Sequence, residues 1–192
     1  MKMLAIMGSP RRGGNTELLL DAFLKGAGEG GAEPVKIAAC DLDISPCLEC
    51  LDCEETGECV IRDGMEKVYR RLHEADRIVI ASPIFFYGLP AQLKALIDRG
   101  QALWYRQRND NKEDGKTSRK GFALLLGATR GKELFAGSLL TIRYFLKAVP
   151  ARLEGSLLYR RIEDKGEILA HPAKLDEARR AGRDFTRSES GR

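Results

Sequence analysis

Four of the five cysteines fall within thirteen residues, as Cys47-Leu-Glu-Cys50-Leu-Asp-Cys53-Glu-Glu-Thr-Gly-Glu-Cys59. Thiolates are soft ligands, and the spacing C-x2-C-x2-C-x5-C lets three of them wrap one face of a cuboidal 4Fe–4S cluster while the fourth takes the last iron. Structural zinc more often draws on two C-x-x-C knuckles well separated in sequence. Without a metal the same thiols would be free and redox-labile. No cysteine is followed six residues later by arginine, which excludes a phosphatase-type C-x5-R loop. Cys40 stands apart and reads as a buried strand-end cysteine. An odd count with no export signal argues against a disulfide framework. His73 and His171 are the only histidines, which limits histidine-based chemistry.

A second constellation is Gly8-Ser-Pro-Arg-Arg-Gly-Gly-Asn-Thr16, lying between an apolar run and a helical pattern. Backbone N–H groups, the hydroxyls of Ser9 and Thr16 and a helix N-terminus together form an anion cradle. The dinucleotide fingerprint G-x-G-x-x-G is absent. Gly14 and Asn15 stand where a Walker A loop needs its Lys and Ser/Thr. A terminal monophosphate suits the loop better than a triphosphate, with Arg11 adding charge-assisted bonds.

Further on, Ser82-Pro83-Ile84-Phe85-Phe86-Tyr87-Gly88 precedes Leu89-Pro-Ala-Gln-Leu-Lys94 and Asp98-Arg99. Pro83, Ile84 and Phe85 offer walls for a planar apolar ligand, and Gly88 allows close backbone approach. A hydrophobic loop packed on the next helix would read the same way. A third loop, Gly127-Ala128-Thr129-Arg130-Gly131, places Thr129 and Arg130 where they could reach the polar edge of such a ligand or simply meet solvent.

These loops need a frame. Short apolar runs at Met3–Met7, Val35–Ala39, Arg77–Ala81 and Lys120–Gly127 read as strands, with Leu153–Ile162 a less regular fifth. Helical stripes separate them. Asn15 is placed to cap the first, which carries Leu18, Leu19, Ala22 and Phe23. Leu93, Leu96, Ile97 and Leu103 form another, followed by Ile142, Phe145, Leu146 and Val149, then Leu175, Ala178, Gly182 and Phe185. Continuously apolar strands imply a parallel sheet covered on both faces, and the βα alternation implies a doubly wound α/β domain. Ligands in such sheets bind outside the strand C-termini at the switch point. One domain spanning 1–192 is expected, with a cysteine-rich insertion at 40–63 and a solvated polar excursion at Gln107–Arg119.

Composition sets the outer bounds. The 192 residues are 43% hydrophobic and 31% charged, ordinary for a folded chain. The net charge of +4 is spread without basic runs longer than two, so no nucleic-acid partner is expected. No apolar run reaches 18 residues and no secretory leader is present, so no membrane partner and a cytoplasmic location are expected.

Gly8-Ser-Pro-Arg with Gly14-Asn-Thr16 resembles the FMN phosphate loop of the NADPH-dependent FMN reductase and iron–sulfur flavoprotein families. The string Ser82–Gly88 leading into Leu93-Lys94 and Asp98-Arg99 is similar to their flavin segment, with Phe85 where tyrosine is usual. The resemblance implies a flavodoxin-like five-stranded parallel sheet of order 2-1-3-4-5. It also implies FMN, with phosphate on Ser9, Arg11, Asn15 and Thr16 and flavin against Pro83–Gly88 and Ala128–Gly131. The compact cysteine spacing is that of the iron–sulfur flavoproteins, implying a 4Fe–4S cluster on Cys47, Cys50, Cys53 and Cys59. The implied activity is an FMN-dependent oxidoreductase passing electrons between cluster and FMN. Its redox partner would be NAD(P)H, a ferredoxin-type protein or a quinone, and its assembly a homodimer or homotetramer. Two other readings stand beside it: a cluster-free NAD(P)H-dependent FMN or quinone reductase, and a non-enzymatic flavin- or zinc-binding sensor module.

Overall fold

A computed structural model describes residues 1–110 and 119–187. The chain order is β1 (Lys2–Met7), α1 (Asn15–Glu29), β2 (Glu33–Ala38), α2 (Cys53–Thr56), α3 (Met65–Glu74), β3 (Arg77–Pro83), α4 (Ala91–Asp98), α5 (Gln101–Asn109), β4 (Lys120–Gly127), α6 (Ala136–Ala148), β5 (Arg152–Arg160) and α7 (Pro172–Phe185). The strands form a five-stranded sheet of order β2-β1-β3-β4-β5, every pairing parallel. This is the expected flavodoxin-like arrangement.

The apolar runs are continuous because each strand feeds two cores. Successive side chains point to opposite faces of a sheet. From β1, Leu4 and Ile6 join Ile78, Ile80, Ala123 and Leu125 under α3, α4 and α6. Met3, Ala5 and Met7 join Val79, Ala81, Leu124 and Leu126 under α1 and α7. The second core is finished by Phe23, Phe122 and Phe185, whose ring centroids lie 5.0 to 6.0 Å apart. Each such fully buried apolar side chain contributes about 1.5–3 kcal/mol.

Several local expectations shift. The expected stripe from Leu93 to Leu103 belongs to two helices, because the chain turns at Arg99-Gly100 between α4 and α5. Asn15 is the first residue of α1 rather than its cap; Gly14 takes the cap position. Cys40 sits in a 3-10 turn over Ala39–Asp41 just after β2, half-buried. Of the expected polar excursion, Gln107–Asn109 extend α5, and residues 111–118 lie outside the described residues. Arg119, the last loop residue before β4, is anchored rather than solvated: its guanidinium donates to the carbonyls of Ala75, Val149 and Leu72.

Helices α1 and α7 cross with backbone in contact. A methyl group on Gly182 would overlap the Phe23 carbonyl oxygen, and one on Gly26 the Arg179 carbonyl. Neither backbone can yield without parting the helices. Gly182→Ala is therefore expected to destabilise the fold by about 3 kcal/mol, the upper end of ordinary overpacking costs, as measured by urea denaturation.

Candidate functional site

The parallel register delivers three loops to one edge. Gly8 N–H donates to Ala81 O at 2.7 Å, and Ile84 N–H to Leu126 O at 2.8 Å, so the loops after β1, β3 and β4 leave the sheet side by side. The order 2-1-3 places the switch point between β1 and β3, where a ligand crevice is expected.

In the first loop Ser9 and Thr16 are buried while Arg11 is exposed. Arg11 N–H donates to Ser9 Oγ at 3.1 Å. Leu18 N–H closes the first intrahelical bond, to Gly14 O at 3.0 Å. The amides of residues 15–17 therefore have no intrahelical acceptor and face the loop. Gly13 N–H is taken by the Glu17 carboxylate at 2.7 Å. That bond, assisted by Lys36 and Arg12 against the opposing effect of burial, holds Glu17 below its ordinary pKa. The Asn15 side chain is engaged elsewhere. Its Nδ2 donates to Asp164 O at 2.7 Å and its Oδ1 accepts from Ile168 N–H at 3.1 Å. Its amide braces the connection after β5, leaving its backbone N–H for a ligand.

The second loop is a tight hairpin. Phe85 N–H donates to Gly88 O at 3.0 Å and Gly88 N–H to Phe85 O at 2.9 Å, with Phe86 and Tyr87 at its tip. Both tip residues have positive φ, 48° and 61°. That conformation normally calls for Asn-Gly, and two aromatic residues there hold backbone strain of the kind found at functional sites. Phe85, Phe86 and Tyr87 all face solvent. Gly88 has no positive φ, and a Cβ there would meet only Phe85 O at 3.6 Å. The protein itself does not require glycine at this position.

Tyr87 joins the second loop to the third, its hydroxyl lying so close to Gly131 that any side chain there would overlap it. Ala128, Thr129 and Arg130 are exposed. Arg160, which no sequence motif singles out, steadies this loop by donating to Gly131 O at 3.2 Å and Lys132 O at 3.1 Å, with its guanidinium over the Phe135 ring.

All four clustered cysteines line one cavity of about 350 Å³, walled on the far side by Arg99, Ala102 and Tyr105. Glu49 and Leu51, which alternate with the cysteines, have φ of 52° and 66°, and these left-handed turns coil the segment round that space. Burial first, and then neighbouring Cys59, Cys47 and Cys50, push the Cys53 thiol above its ordinary pKa. Thiolates crowded in this way need a cation between them. Among the described residues no three His, Cys, Asp or Glu side chains are arranged round a single ion. A cubane is different in this respect, because it offers each thiolate its own iron corner. The cavity and its soft donors fit such a group.

Helix α5 and Arg99 hold this segment in place. Gly57, at φ 67°, ends α2 and lies against Arg106. Asn109 Nδ2 donates to the carbonyls of Glu54 and Glu55 at 2.9 and 3.0 Å. Arg99 is fully buried and pairs with Asp63 at 2.7 Å. It also donates to Ser45 O at 2.9 Å and Ile61 O at 3.0 Å, so one guanidinium binds both ends of the cysteine loop. Burial opposes ionisation of Asp63, but Arg99 and the N–H groups of Met65 and Ser45 outweigh it and hold the carboxyl below its ordinary pKa.

Residues 1–152 match the family model described as NADPH-dependent FMN reductase. The chain belongs to that family. The matched stretch takes in the loop after β1, the cysteine segment and both later loops, ending where β5 begins. An iron-sulfur flavoprotein of Methanocaldococcus jannaschii is 38% identical over 130 residues, covering 68% of this chain and 64% of the relative. One from Methanosarcina thermophila is 37% identical over 130 residues, covering 68% and 65%. The chain thus aligns with somewhat under two thirds of either relative's length. Among solved structures, an NAD(P)H:quinone oxidoreductase from Methanothermobacter marburgensis superposes with a TM-score of 0.75 at 18% identity, covering 100% of this chain and 99% of that one. At that identity the likeness speaks for the fold alone.

Replacing Asp63 leaves Arg99 buried without its counter-charge. Asp63→Asn is expected to cost about 3 kcal/mol at pH 7 by urea denaturation. Because the folded pKa of Asp63 is depressed, its contribution is complete above the unfolded value near pH 4 and is lost as pH falls through the folded one. The wild-type stability curve is expected to drop more steeply below about pH 4 than that of Asp63→Asn, so that the two converge.

Proposed function

We propose that this chain is an FMN-dependent oxidoreductase of iron–sulfur flavoprotein type, passing electrons between a 4Fe–4S cluster on Cys47, Cys50, Cys53 and Cys59 and an FMN at the carboxyl edge of the sheet. The observation that carries the proposal is the gathering of all four cysteines round one cavity. Family membership and the names of the two archaeal relatives support it.

FMN, when bound, converts between one- and two-electron steps, and the cluster relays single electrons. The chain's own residues supply the holding and orientation. Ser9, Thr16 and the free amides of α1 receive the phosphate, and Arg11 adds a charge-assisted bond. Pro83, Ile84 and Phe85 wall the ring, Gly88 admits its edge, and Thr129 and Arg130 serve the polar rim, where Arg130 favours negative charge. The electron partner is of NAD(P)H, ferredoxin or quinone type. The exposed Phe85, Phe86 and Tyr87 give apolar area for a second copy of the chain to cover in a homodimer or homotetramer.

Anaerobic purification with flavin, iron and sulfide analysis tests the reading. Wild type is expected to hold FMN and about four irons per chain, and Cys53→Ala to lose the iron while keeping the flavin. Less than about one iron per chain after reconstitution would reject the cluster and leave a flavin reductase. Arg11→Ala and Thr16→Ala are each expected to weaken FMN binding by about 1–3 kcal/mol in titration; unchanged affinity in both would remove the phosphate assignment. Gly88→Val is expected to keep the far-ultraviolet circular dichroism of the wild type yet lose flavin, since only the ligand demands a bare backbone there.

A further inference from the structure

Arg99 is the most deeply buried charged residue among those described, 1% exposed. Both terminal nitrogens have partners: Nη1 donates to Ser45 O and Asp63 Oδ2, and Nη2 to Ile61 O. Its Nε–H is buried too, yet has no acceptor among the described residues. A charged donor sealed from water and left unmet is costly and uncommon in a native fold. The side chain lines the cysteine cavity together with Cys59, whose thiolate form would lie near enough to act on the guanidinium. The neighbouring hydroxyl of Tyr69 donates to the Arg99 carbonyl at 2.6 Å and does not accept from Nε–H. A lining thiolate drawn onto iron when the cavity is filled would supply the acceptor that Nε–H lacks.

We infer that Arg99 is a positioning residue for the sulfur centre in the cysteine cavity, its Nε–H donating to the Cys59 thiolate when that sulfur carries iron. The inference rests on the cysteines being cluster ligands, and goes beyond it by assigning a residue that sets the properties of the group. Hydrogen bonds to ligand sulfurs draw off electron density and stabilise the reduced, more negative state, so they raise the reduction potential. One side chain then performs two jobs. Its outer nitrogens close the loop that presents the cysteines, and its inner nitrogen sets the driving force for electron transfer.

Arg99→Lys separates these jobs. Lysine keeps the positive charge opposite Asp63 but puts a methylene where Nε–H stands. Iron and sulfide content are measured first, on wild type and variants alike; an iron-free wild type would overturn the cluster reading, and this inference with it. At matched iron content, Arg99→Lys is expected to show a more negative cluster potential and altered electron paramagnetic resonance of the reduced cluster. Asp63→Asn, which removes a negative charge and leaves Nε–H in place, is expected to move the potential the other way. An unchanged potential in Arg99→Lys, or a shift of the same sign in both variants, would reduce Arg99 to a loop clamp and overturn the inference. A measurement on the unaltered protein covers failure of Arg99→Lys to fold. Wild type labelled with 15N-arginine is expected to give a pulsed electron paramagnetic resonance coupling between the reduced cluster and an arginine nitrogen. Absence of any such coupling would overturn the inference equally.

Discussion

A guanidinium taken out of water must have its donors met and its charge balanced, or the fold does not keep it. Arg99 meets the charge and most of the donor demand with groups from two distant stretches, Ser45 before the cysteines and Ile61 and Asp63 after them. It leaves only Nε–H, towards the cysteine cavity, without a partner among the described residues. The segment between is nearly devoid of regular structure and leaves Leu48, Leu51 and Val60 in solvent. It has no apolar core of its own to organise it. What shape it has follows from being tied at both ends to one side chain and laid along α5. Arg99 stands at the α4–α5 corner, so that corner and the cysteine loop are joined through one side chain.

The sheet imposes a complementary constraint. Parallel pairing sends every carboxyl end to the same edge, so the loops after β1, β3 and β4 start side by side as the ladder bonds dictate. Their finer placement is set by single side chains reaching across: Tyr87 against Gly131, Arg160 on the third loop, and Cys40 Sγ near Ser9 O at 3.8 Å. The rigid part of the molecule thus fixes which loops are neighbours. A handful of long-range polar contacts fixes how they face one another.

This division explains how much of the molecule is legible in its amino acids. Strands such as Met3–Met7 and Arg77–Ala81 are legible because burial on both faces leaves no room for polar residues, and the loops are legible because glycine, serine and cysteine spacings are local. The break at Arg99-Gly100 is less legible: the apolar stripe from Leu93 to Leu103 continues through it, and the partner that Arg99 meets there lies 36 residues away at Asp63. Asn15 shows the same limit. Its type and place suit a helix cap, but its amide serves Asp164 and Ile168, about 150 residues downstream. The open space at Gly88 and the strain at Phe86 and Tyr87 are likewise backbone facts that no spacing encodes.

The brace made by Asn15 bears on how the chain can be divided. The stretch shared with the family ends at residue 152, yet both groups that Asn15 grips lie beyond it. A chimera joined at that boundary would import a foreign connection after β5, and the loop after β1 would inherit whatever carbonyl and amide the new segment happened to present. The first loop of the chain and the stretch after β5 are therefore one inheritable unit, although sequence similarity would part them.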